Sequence, residues 1–221
     1  ALHKGHISLV EAAKKLADHV VVSIFVNPLQ FGPKEDFGSY PRMLQADIEK
    51  LEEAKVDALF APIAADMYPE GFQTAVRNNA ISEILCGRAR PGHFDGVLTV
   101  VCKLFNLVQP DYALFGKKDY QQLKLIQNMA RDLCFPIEVI GQPTTRESDG
   151  LAMSSRNLRL TAEERSKAPQ IYVALRSVAD AHKAGEKDYA KLIASFESEL
   201  AKVTGFVSTT SILGPKIDWM S

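Results

Sequence analysis

The chain has 221 residues, 46% hydrophobic and 24% charged, enough for one large domain or a large domain with a small companion. Its net charge of −1 carries no electrostatic footprint for nucleic acid or an anionic membrane, and no apolar run approaches the roughly 20 residues of a bilayer span. Cys86, Cys102 and Cys134 are odd in number and widely spaced, which favours a reducing cytoplasm over a disulfide framework or a cysteine metal site.

The chain opens "ALHKGHISLV", without methionine, on what reads as the middle of a motif, so a preceding segment is expected. Residues 7–19 place Ile7, Val10, Ala13, Leu16 and Ala17 at helical spacing. "VVVSIFV" is continuously apolar and β-branched, the pattern of a strand buried on both faces of a parallel sheet. "NPLQFGPKEDFGSYP" is a long Pro- and Gly-rich loop, and loops of that length tend to be functional. A helix over 44–54 and a strand in "VDALFAP" follow, then an irregular stretch and a short helix near 81–85. "GVLTVVCKLFNLVQP" is a buried helix ended by Pro110, "DYALFG" a strand ended by Gly116, "KDYQQLKLIQNMARDL" a helix and "PIEVIG" a strand.

This alternation predicts an α/β, doubly wound parallel sheet of Rossmann type, with ligands beyond the carboxyl ends of its strands. Asn27, Gly116 and the segment after Gly141 fall at such ends. "TAEE" at 161–164 is a capping box opening a long helix through Lys183, and a further helix runs to about Val203. No strong strand alternates with these helices, so a boundary is placed between a domain over 1–160 and a smaller, incomplete domain over 161–221. "KIDWMS" has the character of a starting strand.

Three clusters can carry chemistry. His3 and His6 flank Gly5 at a helix start, where free N–H groups and positive potential favour phosphate; a metal pair or two loop-satisfying histidines are the alternatives. "MSSRN" offers two hydroxyls and a guanidinium that can fork onto an anion, although such a run is also ordinary surface. In "FGKKDYQQ", Lys118 suits a phosphate and Asp119 a ribose hydroxyl, or Asp119 merely caps the helix.

"ALHKGH" with a distant "MSSR" resembles the paired signatures of the HIGH-type nucleotidyltransferase superfamily. Together with "FVNPLQFGPKEDFGSYPR", "RPGHFDGVLTVVCKLFNLVQPD", "FGKKDYQQ" and "DGLAMSSRN", in that order over residues 1–157, the chain resembles the pantothenate synthetase (pantoate–β-alanine ligase) family. The resemblance implies ATP-dependent condensation of pantoate with β-alanine through a pantoyl-adenylate, with Mg²⁺, by a Rossmann-like domain and a small lid domain, usually as a homodimer. His3 and His6 match the ATP-phosphate histidines, and His6 the one assigned as proton donor. Gly116, Lys118 and Asp119 match the nucleotide-binding turn, Thr145 a backbone contact on the adenine side, and Met153, Ser154, Ser155 and Arg156 the phosphate-gripping loop. His6, His3, Lys118 and Arg156 are thus the implied catalytic set. Gln30 and Gln122 match the glutamines that hold pantoate, with Asn27 and Tyr40 near the same pocket. Asp47 matches an acidic position near the pyrophosphate and its Mg²⁺. The long loop near 32–40 and the second domain are the expected covers that keep water from the anhydride.

The chain departs from the family in three places. The strand that precedes the His-x-x-His segment is absent, so the sheet is expected to lack a central member. Lys117 stands where glutamate is usual, its side chain expected to point away from ATP. Cys86 stands where a loop-ordering glutamate pairs with an arginine such as Arg90. A different adenylyltransferase would keep the histidines but lack the "FVNPLQF" and "DYQQ" pair, and a non-catalytic nucleotide-binding module would keep the fold without the reaction.

Overall fold

The structure, a computed structural model, describes residues 2–33, 35, 37–38 and 43–203. Backbone contacts divide the chain into two compact units, Ala1–Thr144 and Thr145–Ser221. Tyr40, part of the loop at 32–42 and the "KIDWMS" segment lie outside the described residues. Among the described residues, no helix is long and apolar enough to cross a membrane.

The first unit runs α1 (Lys4–Ala13), β1 (Val21–Ser23), α2 (Leu44–Glu53), β2 (Ala58–Phe60), α3 (Ala64–Met67), α4 (Cys86–Ala89), α5 (His93–Val108), β3 (Tyr112–Gly116), α6 (Tyr120–Asp132) and β4 (Glu138–Gln142). β1 pairs in parallel with β2, Val21 opposite Ala58, and β3 with β4, Tyr112 opposite Glu138. Each pair is joined through a helix, α2 or α6, the only practical way to bring two parallel strands side by side. The expected α/β class is therefore present. The strand at "VVVSIFV" is shorter and less enclosed than its composition predicts: Val20 is buried, but Val21 is 44% exposed. Among the described residues β1 has a ladder partner on one side only.

α5 and α6 form the floor of this unit. α5 buries Phe94, Val97, Leu98, Val100, Val101 and Phe105, and α6 buries Leu123, Leu125, Ile126 and Met129. Phe105 meets Phe115 of β3 and Phe135 edge-on, at 6.5 and 5.6 Å between ring centres. Truncating one such side chain, Leu98→Ala for instance, typically costs about 2–5 kcal/mol. A smaller core of Val10, Val20 and Leu51 ties α1 and α2 to β1.

Several ends differ from the sequence pattern for local reasons. α1 starts at Lys4 rather than near Ile7, because the two histidines cap it, and it ends at Ala13 as Lys15 and Leu16 tighten onto Ala12 and Ala13. α5 begins at His93, three residues before the apolar run, and stops at Gln109, whose φ of 51° is left-handed. The short helix read at 81–85 resolves into a single 3₁₀ turn (Ile81–Glu83) and α4, split at Leu85 with φ 52°.

In the second unit, residues 145–153 fold back on themselves through a bridge between Arg146 and Ala152, with Gly150 at φ +90° making the turn. α7 (Ala162–Lys167), α8 (Gln170–Lys183) and α9 (Tyr189–Ala201) follow. The capping box forms as expected: Glu164 N–H donates to Thr161 Oγ1, and Thr161 N–H to Glu164 Oε2. The single long helix to Lys183 does not. Pro169 lacks an N–H and disfavours helix at its predecessor, so α7 ends and α8 restarts there. α8 and α9 bury Ala174, Val178, Leu192, Phe196 and Leu200 between them.

One close approach fixes the backbone around Asn27 and Gln30. The 3₁₀ turn Pro28–Gln30 lies on α5 at Gly96, where a Cβ would sit 2.3 Å from the Leu29 carbonyl oxygen and 2.7 Å from the Gln30 nitrogen. Backbone cannot yield as a side-chain tip can, so Gly96→Ala should destabilise the protein by about 1–3 kcal/mol, read as a lower urea midpoint at unchanged m-value. Wild-type stability in that variant would show that the turn is not seated there.

Candidate active site

The histidine segment forms an interlocked helix cap. His3 is the N-cap of α1, and its Nδ1 accepts the Gly5 N–H at 3.1 Å. His6, one turn on, returns its own Nδ1 to accept the His3 N–H at 3.2 Å. An imidazole nitrogen that accepts a hydrogen bond carries no proton, so both rings hold theirs on Nε2. The rings lie 4.0 Å apart. The His6 pKa is lowered to about 4, chiefly by burial, with the His3 ring and the Lys118 charge adding to the effect. With Nδ1 accepting from the His3 N–H and its pKa lowered by burial, His6 presents a neutral Nε2–H at pH 7.

α2 sets the approach to this cap. The Leu2 N–H donates to Asp47 Oδ1 at 2.5 Å, and Lys50 Nζ to the Leu2 carbonyl at 2.9 Å. Asp47 is 2% exposed. Its carboxylate is engaged with the chain entering α1.

Beyond β3, Gly116 ends the strand and a 3₁₀ turn, Lys117–Asp119, leads into α6. Asp119 occupies the N-cap position yet makes no capping hydrogen bond; its Oδ2 lies 3.5 Å from Lys118 Nζ, and both groups are exposed. Asp119 thus sits at the exposed cap position without the side-chain cap hydrogen bond. The Lys117 stem lies over β4, near Gly141.

The two glutamines that open α6 have opposite fates. Gln121 is buried, donates from Nε2 to the Ile81 and Ile84 carbonyls at 2.8 Å each, and accepts the Cys86 N–H at 3.1 Å. Gln122 is half-buried, and its side chain has no hydrogen-bond partner among the described residues. Gln30 accepts at Oε1 from Asn27 Nδ2, 3.2 Å away, leaving its amide N–H groups without a partner among the described residues. Asn27 itself is 1% exposed and fully engaged: it accepts from Tyr68 Oη at 2.7 Å and the Leu29 N–H, and donates to the Gly96 carbonyl at 3.0 Å as well as to Gln30. Burial pushes the Tyr68 phenol up to about 12, so it remains a donor.

In the second unit, Met153 N–H donates to the Thr145 carbonyl at 3.0 Å, closing the turn that presents Met153, Ser154, Ser155 and Arg156. Ser154 Oγ accepts the Arg156 N–H at 3.2 Å and caps the 3₁₀ turn Ser155–Arg159. Behind it, Arg146 stacks at 3.7 Å over Tyr172 and donates to the Gly150 carbonyl.

Sequence reasoning does not bring together Arg90, His93 and Glu35, which cluster against Gln30. The glutamate pairing expected at position 86 is replaced: Cys86 is exposed, and Arg90 pairs with Glu35. The RPGHF stretch marks the place, but which partner Arg90 takes is a long-range property. None of the three cysteines is in a disulfide.

The model of the family described as pantoate-beta-alanine ligase matches residues 1–213. The chain belongs to the pantoate–β-alanine ligase family. It is 56% identical over 202 residues to a pantothenate synthetase of Pseudomonas putida, covering 90% of this chain and 70% of that one, and 58% identical over 195 residues to that of Azotobacter vinelandii, covering 87% and 69%. A crystal structure of pantothenate synthetase from Thermus thermophilus superposes with a TM-score of 0.92 at 49% identity over 100% of this chain and 79% of that one. A pantoate-beta-alanine ligase from Francisella tularensis, crystallised with a βγ-ATP compound and β-alanine, superposes with a TM-score of 0.77 at 41% identity over 90% and 74%.

The His6 environment sets an acid limit on stability. Folded, His6 stays neutral down to about pH 4; unfolded, it binds a proton near 6.5. Unfolding takes up that proton in between, so the contribution is whole above pH 6.5 and is lost as pH falls toward 4. Urea midpoints from pH 7 to 4.5 should fall by an amount equivalent to about 1–3 kcal/mol, less steeply in His6→Asn. Parallel profiles for the two proteins would contradict the assignment.

Proposed function

We propose that this chain condenses pantoate with β-alanine in an ATP-driven reaction, through a pantoyl-adenylate. The observation that carries the reading is the pair of capped imidazoles at the start of α1, neutral and presenting Nε2–H groups beside the Lys118 charge. This is a donor set for a triphosphate on a fold with family-wide similarity over residues 1–213.

In the first step a pantoate carboxylate oxygen attacks the α-phosphorus, the bond to the β-phosphate bridging oxygen breaks, and pyrophosphate leaves. Both reactants are anionic, so the groups that help are donors aimed at the phosphate oxygens. His3, His6 and Lys118 are such donors, and the family resemblance assigns Ser154, Ser155 and Arg156 the same role. Gly116 and Asp119 hold the ribose side, and the Thr145 and Met153 main chain the adenine side. A neutral His6 hydrogen-bonds the growing charge without having to give up a proton.

In the second step the unprotonated amine of β-alanine attacks the acyl carbon, the bond from that carbon to the phosphate-bridging oxygen breaks, AMP leaves with the bonding pair, and the proton lost by the new amide nitrogen passes to the departing phosphate or to solvent. Positioning supplies most of the rate here. Gln30 and Gln122 suit it, since their amide N–H groups, without a partner among the described residues, can donate to pantoate's hydroxyl and carboxylate oxygens without adding charge. Asn27 forms the wall of that pocket and acts through Gln30; Tyr40 is assigned to the same pocket from the resemblance alone.

Among the described residues no group of three His, Cys, Asp or Glu side chains could hold a metal, and Asp47 is committed to Leu2. The described residues thus bring no three such side chains together as a resident metal centre. Mg²⁺ would offset charge on the nucleotide's phosphates, and Asp47, whose Oδ1 anchors Leu2, is the acidic residue the resemblance places near it. The protein is further assigned to the cytoplasm, as a homodimer, with small molecules as its only other partners; the 1–160 domain carries ATP and pantoate binding, and 161–221 the lid.

His6→Ala should slow pantoate-dependent pyrophosphate release by about 100-fold or more with the fold intact; a near wild-type burst would refute the role. Gln122→Ala should weaken pantoate far more than ATP in calorimetric titrations, and equal losses for both would count against the pocket. Release of pyrophosphate without pantoate would favour a different adenylyltransferase.

A further inference from the structure

Gln30 is held at its main-chain carbonyl by a cluster of Arg90, His93 and Glu35. Arg90, just before α5, grips Glu35 with two donors, Nε and Nη2, each 2.5 Å from a carboxylate oxygen. Its Nη1 lies 3.0 Å from His93 Nε2, and its Nη2 reaches the Gln30 carbonyl at 3.4 Å. His93 Nδ1 lies 2.8 Å from that same carbonyl. Since a guanidinium can only donate, His93 Nε2 must accept and its proton must sit on Nδ1, which therefore donates to Gln30. The cluster has one self-consistent protonation state: Arg90 charged, Glu35 ionised and His93 neutral. Burial lowers the His93 pKa, and the Arg90 hydrogen bonds lower that of Glu35, both in the direction that keeps this state.

The same turn is pinned on its other side. Asn27 bonds the Gly96 carbonyl and the Gln30 side chain, and Gly96 admits the Leu29 backbone onto α5. With its main chain and Oε1 both fixed, Gln30 can present its amide N–H groups in one direction only. We infer that His93 and Arg90 are positioning residues for pantoate recognition, setting the aim of Gln30 through its carbonyl while touching neither substrate. The inference rests on the reading that Gln30 binds pantoate.

Kinetics of the full chain test it with four variants: Gln30→Ala, His93→Ala, His93→Asn and Arg90→Lys. His93→Ala removes the donor to the Gln30 carbonyl and should raise KM for pantoate about 10-fold, with kcat and the KM for ATP within about twofold of wild type. Asn carries an N–H at nearly the place of imidazole Nδ1, so His93→Asn should recover most of the loss. Arg90→Lys keeps the charge but not the fork, and should fall between them. In a Gln30→Ala background His93→Ala should add little further. Equal rises in KM for pantoate and ATP, no rescue by asparagine, or full additivity with Gln30→Ala would overturn the inference while leaving the Gln30 reading in place. An unaltered pantoate KM in Gln30→Ala alone would overturn that reading, and the inference with it. Thermal melts show which variants are folded; the His93→Asn to His93→Ala comparison decides the matter even if Arg90→Lys fails to fold.

Discussion

Everything proposed for the phosphate end depends on two backbone hydrogen bonds at the start of α1. A helix N-terminus leaves its first N–H groups without partners. Here the partners are imidazole nitrogens, where serine or aspartate would be usual. Capping occupies Nδ1 of each ring and so dictates that the proton sits on Nε2. A structural need thereby settles a chemical property, and the neutral, lowered-pKa state of His6 follows from burial in the same place. Asp47 and Lys50 serve the cap from α2 by holding Leu2 at the entry to the helix.

The pocket end uses a different principle, the contrast between satisfied and unsatisfied amides. Asn27 and Gln121 are buried and direct their hydrogen bonds to the protein. Gln30 and Gln122, each close in sequence to one of these, keep amide groups without a partner among the described residues. Leaving a polar group half-buried and unpaired lowers stability, by about 1–3 kcal/mol when desolvation is complete, a loss that a bound ligand can recover. The saturated residue in each pair fixes the backbone from which its neighbour reaches out.

The sequence made some of this legible. Strand–helix alternation, the capping box at Thr161 and Glu164 and the strand ends at Gly116 and near Gln142 depend on local pattern, and the structure follows them. Where pattern failed, a specific competitor won: Pro169 split the helix to Lys183, and the histidine caps drew α1 forward to Lys4. The histidine segment reads from sequence as a candidate phosphate site, but that reading does not contain the capping that makes His6 a neutral donor. Gln121 and Gln122 are indistinguishable as letters; only the packing of the segment at 81–86 onto α6 separates them. Arg90 meets Glu35 across 55 positions and His93 meets the Gln30 carbonyl across 63, and nothing local announces such partnerships.

The central claim is that His6 is a neutral Nε2–H donor to a phosphate group. Nitrogen-15 NMR of labelled imidazoles, without and with ATP between pH 5.5 and 8, tests it most directly. A pyrrole-type Nε2 and a pyridine-type Nδ1 are predicted across that range, with the Nε2 resonance shifting on ATP addition. A His6 that titrates near pH 6.5, carries its proton on Nδ1, or ignores ATP would contradict it.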